Sequence, residues 1–338
     1  MVLEFLKSNG RSQDRAADAD NDVPARGRPT IGLALGGGAA RGFAHIGVIR
    51  TLAAKGIRPD VICGTSIGAV VGGALATDRL DVLEAWARSL SKRRVLGYLD
   101  VSLGGSGLIT GARLAARLDE ALGDIAIEDL PVRFAAIATE IGTGHEIWLT
   151  RGRLSDALRA SYPLPGIFAP TRVGGRWLVD GALVNPVPVA AARALGARLV
   201  VAVNLNAELF GRGTTISSHG SDESDALRKA LGERRGLRRM LGSEREMKRQ
   251  VLGSPGSPGL LTVMSEAFNI MQDRITRARL AGDPPDVLIQ PHLGRVGLFD
   301  FHRADETIAL GAEAAERAIG PLVDAMTALT SDHRSDVR

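Results

Sequence analysis

The chain has 338 residues, of which 45% are hydrophobic and 24% charged, with a net charge of +4. That composition supplies a sizeable core and excludes disordered and fibrous proteins, and so mild a positive balance does not call for nucleic acid. A single cysteine excludes an intrachain disulfide framework and fits a reducing compartment.

Residues 1–29 are polar and without period, and a disordered tail is expected there. Val2, Leu3, Phe5 and Leu6 are interrupted by Glu4, too short a run for a secretory core. Order is expected from Thr30, with Ile31 to Leu35 a buried strand that ends in glycines. A helix should follow, since Phe43, Ile46, Ile49, Leu52 and Ala53 recur at three- and four-residue spacing before Gly56. Residues 61–76 are uncharged and apolar but shorter than the ~20 residues of a membrane span. They read as a buried strand (61–63) and a buried helix (66–76). The chain is therefore expected to be cytoplasmic, with at most a peripheral hold on the inner membrane face.

Further along, an amphipathic helix is expected over 81–91, a loop over 101–111 and a helix over 112–122. A strand at 132–139 should pair with 146–150 across a Gly-Thr-Gly turn. A short helix at 155–160 and a proline-rich turn lead to strands at 176–179 and 199–204, with a helix at 187–195 between them. Residues 207–258 break this pattern. Arg228, Lys229, Arg234, Arg235, Arg238 and Arg239 there face one acid, Glu233. Two readings stand, a solvated linker or a segment that turns helical on anionic lipid. A helix at 261–280, a strand at 286–290, a helix at 303–329 and a disordered tail at 330–338 complete the chain. The alternation implies a layered α/β domain with a mainly parallel sheet, formed by residues 30–206 and 259–329 around the mobile insertion 207–258.

Three motifs carry chemistry. Gly36, Gly37, Gly38, Ala39, Ala40, Arg41 and Gly42 link a strand to a helix, where backbone N–H groups gather and favour negative charge. A dinucleotide fingerprint would need glycine where Arg41 stands, and a phosphate loop would need Gly-Lys, so an oxyanion hole or a plain turn remains. Gly64-Thr65-Ser66-Ile67-Gly68 follows a strand and opens a helix, the setting of a nucleophile elbow. Asp180-Gly181-Ala182 ends a strand at the carboxyl side, where α/β sheets place catalytic groups. Of six histidines, His45 reads as a helix-face residue, and His292 alone sits at a strand end in the Ser–Asp–His order of a triad. No cysteine, histidine and carboxylate cluster has metal spacing.

In this order the three motifs resemble the patatin-like phospholipase family, in its bacterial and neuropathy-target-esterase-like branch. The stretch from Leu33 to Gly47 and that from Leu158 to Phe168 add to the resemblance. It implies a three-layer α/β/α patatin-like fold and a Ser–Asp dyad. Ser66 would be the nucleophile and Asp180 the proton acceptor, with Gly37, Gly38 and Ala39 at the oxyanion and Arg41 bracing the loop. Gly36, Gly42, Gly64, Gly68, Gly181 and Ala182 would support the motifs. Ala39 departs from the family's usual glycine, and a left-handed backbone there would cost roughly 1 kcal/mol or more. The implied substrate is a fatty-acyl ester such as a phospholipid or lysophospholipid, with no metal and no cofactor. Acyl transfer on the same dyad and a catalytically silent lipid-binding scaffold are the alternatives.

Overall fold

The computed structural model describes residues 28–98, 107–208, 253–254 and 257–335. The stretch 1–27, nearly all of the insertion and residues 336–338 lie outside the described residues.

In chain order the first elements are β1 (Ile31–Leu35), α1 (Ala44–Ala54), β2 (Val61–Thr65), α2 (Ile67–Ala76), α3 (Leu80–Arg88) and α4 (Lys92–Tyr98). Next come β3 (Gly107–Ile109), α5 (Ala112–Leu122), β4 (Arg133–Glu140), β5 (Glu146–Leu149) and α6 (Leu154–Ser161). Then follow β6 (Gly166–Phe168), β7 (Thr171–Val173), β8 (Arg176–Asp180), α7 (Val189–Ala194) and β9 (Leu199–Val203). A two-residue ribbon of β10 (Gly253–Ser254) and β11 (Ser257–Pro258) precedes α8 (Leu260–Gly282), β12 (Val287–Ile289) and α9 (Ala304–Ser335). The sequence pattern did not show α4, β6 or β7, and β3 falls where a loop was expected. Three-residue strands are too short to display a period. Helix α9 also runs on past Leu329 to Ser335, into the stretch expected as a tail.

The sheet is mixed and mostly parallel. Strands β12, β9, β1, β2 and β4 lie side by side in parallel, while β5, β8 and β7 are antiparallel additions at the β4 end. Its middle strands are buried on both faces, hence their continuous apolar runs. Ile31, Leu33, Leu35, Ile62, Leu199, Val201 and Val203 pack on one side with α1, α2, α6 and α9. Ala34, Val61, Cys63, Val200 and Ala202 pack on the other with Val189, Ala191 and Ala192 of α7 and Leu280 of α8. Helices therefore cover both faces of the sheet, in three layers.

One feature of β4 sets up the site. Its residue Ile137 pairs with both Thr65 of β2 and Trp148 of β5, and Ala138 pairs with both Asp180 of β8 and Ile147 of β5. Strand β5 thus takes one edge, and β2 and β8 share the other, end to end. Because β2 runs parallel to β4 and β8 antiparallel, their carboxyl ends meet beside Ile137 and Ala138.

Candidate active site

Ser66 follows β2 directly and Asp180 is the last residue of β8, so the shared edge delivers both to one point. The Ser66 hydroxyl donates to Asp180 Oδ2 at 2.7 Å, and both residues are buried. Ser66 has φ 57° and ψ −124°, a conformation costing on the order of 1–3 kcal/mol that throws the side chain off the strand–helix turn. The turn is closed by small residues, as its motif suggests. A Cβ on Gly64 would stand 2.4 Å from the Ala69 Cα, and one on Gly68 2.2 Å from the Leu35 carbonyl oxygen.

Asp180 is held on both oxygens, since Oδ1 accepts the Ala182 N–H at 2.9 Å. Burial raises its pKa from an ordinary 3.8 to about 6, against the opposing pull of the Ala182 N–H and the Ser66 hydroxyl. Gly181 lets the chain turn away at once, because a Cβ there would meet the Ile137 carbonyl oxygen at 2.3 Å.

The glycine loop lies against this pair. A Cβ on Gly37 would come within 3.6 Å of the Ser66 Cβ and 3.3 Å of the Ala182 Cβ. The loop's own bonds sort its amides. Gly36 N–H is committed to Val203 O, Gly37 N–H to Pro186 O at 2.9 Å, and Ala40 N–H to Leu298 O. Gly38 and Ala39 keep backbone N–H groups that no atom of the described residues accepts. Gly37, expected among the donors, is instead an anchor. Ala39 has φ 49°, the left-handed conformation feared for it. An Ala39→Gly variant relieves ~1–2 kcal/mol of strain and loses ~0.4–1 kcal/mol to a freer unfolded chain. A rise in Tm of about 1–2 °C by thermal melting is expected, whereas a fall would show that the methyl group's contacts outweigh the strain.

Arg41 lies buried behind the loop. Its Nε donates to Val296 O at 2.8 Å, and its Nη1 to the side-chain oxygens of Asn206 and Asn269 at 3.1 and 3.2 Å. Burial lowers its pKa to about 10, which leaves it charged at neutral pH. Asn206 in turn donates to the Gly37 carbonyl and to Gln272 Oε1 at 2.6 Å. Sequence reasoning missed this network, because Asn269 and Gln272 arrive from α8, far along the chain. It also missed Ser161, which is fully buried. The Ser161 hydroxyl donates to Ile137 O at 2.6 Å and accepts the Ser66 N–H at 2.8 Å, tying the Ser66 backbone to β4. A hydroxyl that ends helix α6 inside the stretch from Leu158 to Phe168 was its only signal.

The histidines stand elsewhere. His45, read as a helix-face residue, is fully buried, and its Nε2 donates to the Gly36 carbonyl at 2.8 Å. Burial pushes its pKa down to about 4, so it is a neutral clamp on the start of the loop. His292 is exposed and bonds Glu208. Among the described residues no histidine ring reaches Ser66 or Asp180, and no group of His, Cys, Asp and Glu could hold a metal ion. Nor is any described helix long and apolar enough to cross a membrane.

Three kinds of comparison place the chain among known proteins. The model of the patatin-like phospholipase family matches residues 33–193, which include the glycine loop, Ser66 and Asp180. An uncharacterized NTE family protein of Mycobacterium tuberculosis is 35% identical over 329 residues, covering 86% of this chain and 91% of its own. Neuropathy target esterase sws of Drosophila melanogaster is 31% identical over 201 residues, 58% of this chain and 14% of that protein. The crystal structure of VipD from Legionella pneumophila aligns with a TM-score of 0.47 at 14% identity, over 96% of this chain and 73% of that one. On the family match and on an identity of 35% across nearly the whole of a relative, the chain belongs to the NTE family of patatin-like phospholipases, and with them to the lipase-type hydrolases.

Proposed function

We propose that the protein hydrolyses fatty-acyl esters of phospholipid or lysophospholipid type through a Ser66–Asp180 dyad and an acyl-enzyme. The observation that carries this reading is the 2.7 Å bond from the Ser66 hydroxyl to a buried carboxylate that no histidine of the described residues approaches. Asp180 Oδ2 takes the Ser66 proton as Oγ attacks the ester carbonyl carbon. The carbonyl oxygen becomes an oxyanion, and the unengaged N–H groups of Gly38 and Ala39 are the donors the loop offers it. Arg41, Asn206 and His45 hold those donors in place, so little reorganisation is needed as charge develops. As the C–O bond breaks, Asp180 returns its proton to the leaving alkoxide. Water then attacks the acyl-Ser66, with Asp180 accepting its proton, and Ser66 leaves with the hydrogen restored.

Two measurements test the proposal. A fluorophosphonate should label Ser66 covalently, which separates an enzyme from a lipid-binding scaffold. Fatty acid released from a lysophospholipid panel should exceed transfer to added acceptor alcohols. Absence of labelling in folded protein would refute the proposal. His292→Ala is expected to leave turnover within about twofold of the unaltered chain, because its ring pairs with Glu208 on the surface. Loss of activity with folding preserved would instead make the enzyme a triad hydrolase.

A further inference from the structure

Helix α8 buries a polar stripe. Ser265, Asn269, Gln272, Asp273 and Thr276 are buried, with Gln272 only 1% exposed. Three of its apolar residues face the other way, Val263, Ile270 and Met271 being 50%, 46% and 43% exposed, while Phe268 at 6% packs inward. At 100° per residue Val263, Ala267, Ile270, Met271 and Arg274 fall in one stripe on the outward side. The inward polar side is explained, since Asn269 and Gln272 hold Arg41 and Asn206 behind the glycine loop. The outward apolar side has no such partner among the described residues.

Other exposed apolar residues share that side of the sheet. Alternation along β4 and its neighbours points Ile141, Trp148 and Trp177 to the face that α7 and α8 cover, and Leu288 of β12 points the same way. Tryptophans half in and half out suit a boundary between apolar and wet surroundings. Within the stripe itself the charged residue is Arg274, while the exposed Glu266 flanks the stripe one turn before Ile270. Arg277 and Arg279 are paired with Asp273 and Glu146, but Arg274, within the stripe, has no ion-pair partner among the described residues.

We propose that this side of α8 is the surface by which the protein docks on an anionic lipid bilayer. Val263, Ile270 and Met271 enter the headgroup boundary and Arg274 meets lipid phosphate. This deepens the lipid-esterase reading and rests on it. One helix then carries the membrane contact on its outer side and the support of the oxyanion loop on its inner side, about one helix diameter apart (~10 Å). An acyl ester reaching Phe268, Leu164 and Ala182, the apolar cluster beside Asp180, need not leave the lipid phase for long. The docking segment is thus distinct from the basic insertion 207–258.

The test uses the full chain carrying Ser66→Ala, so that no lipid is consumed, and vesicles of phosphatidylcholine mixed with phosphatidylglycerol. Co-sedimentation should show binding that falls at least about tenfold in affinity when Ile270→Ser and Met271→Ser are added. Arg274→Glu should weaken binding at low salt and lose its effect at high salt. Val323→Ser, an exposed apolar site on α9 across the sheet, should bind as before, and thermal melting confirms that each variant folds. Equal binding by the double variant, or no binding by the parent, overturns the proposal. So does a dimer on gel filtration that the double variant dissolves without any vesicle binding, which would make the stripe a protein interface. Hydrolysis of a soluble short-chain ester by the unaltered chain tests the esterase reading separately, whatever the vesicles show.

Discussion

Ser66→Ala is expected to lower ester hydrolysis by at least about 10⁴-fold, since among the described residues no other hydroxyl bonds the Asp180 carboxylate, Thr139 donating only to the Asp180 backbone carbonyl. The fold should survive. The strained backbone at position 66, the Ser161 bond to its N–H and the packing of Gly64 and Gly68 do not involve the hydroxyl. What is lost is one charge-assisted hydrogen bond to a buried carboxylate, ~1.5–3 kcal/mol. A Tm a few degrees lower at neutral pH, with cooperative unfolding retained, is the result to expect. Activity above a few per cent of the original in this folded variant would remove Ser66 from the mechanism. Mass mapping of the fluorophosphonate adduct would then show which residue replaces it.

Asp180→Asn should also abolish turnover, by about 10³-fold or more, because an amide cannot take the serine proton. Its effect on stability has the opposite sign. Burial lifts the Asp180 pKa from 3.8 to about 6, so the folded protein holds that proton more tightly than the unfolded chain does. The stabilisation is fully present below pH 3.8 and is lost as pH rises through about 6, which leaves a buried charge costing ~3 kcal/mol at pH 8. Asparagine carries no such charge. Its Oδ1 can still accept the Ala182 N–H, and its Nδ2 can donate to the Ser66 oxygen. The variant should therefore melt several degrees higher than the unaltered chain at pH 8, with the gap narrowing toward pH 4. In the unaltered chain kcat/KM should climb through about pH 6 as the base form appears. A variant less stable at pH 8, or an activity profile flat between pH 5 and 8, would show that Asp180 is not a strained buried base.

Much of this architecture can be read from local pattern alone. The alternating strands and helices, and the glycines around Ser66 and Asp180, each act over a few residues and leave a visible mark. Short elements do not. The strands β6 and β7 have three residues each, and α4 carries Lys92, Arg93 and Arg94 without an apolar stripe. The support of the site is the least legible part. Asn206 and Asn269 meet Arg41 across 165 and 228 residues of chain, and no local propensity encodes that. Helix α8 misleads in part, because Ser265, Asn269, Gln272, Asp273 and Thr276 would be placed in solvent on composition and are in fact inside. Gly37 is similar: only the position of Pro186 decides that its N–H is already taken.

The shared edge of β4 has a consequence for how accurately two distant pieces of chain must assemble. Ser66 and Asp180 are gauged by two adjacent rungs of one strand, Ile137 and Ala138. A slip of β8 by two places would shift its carboxylate by roughly 7 Å, and a slip of one place would turn it to the opposite side of the sheet. A three-member relay can absorb small errors through an imidazole that swings. A direct serine–carboxylate pair has no such slack, so hydrogen-bond register in a single antiparallel ladder decides whether the proposed dyad forms at all.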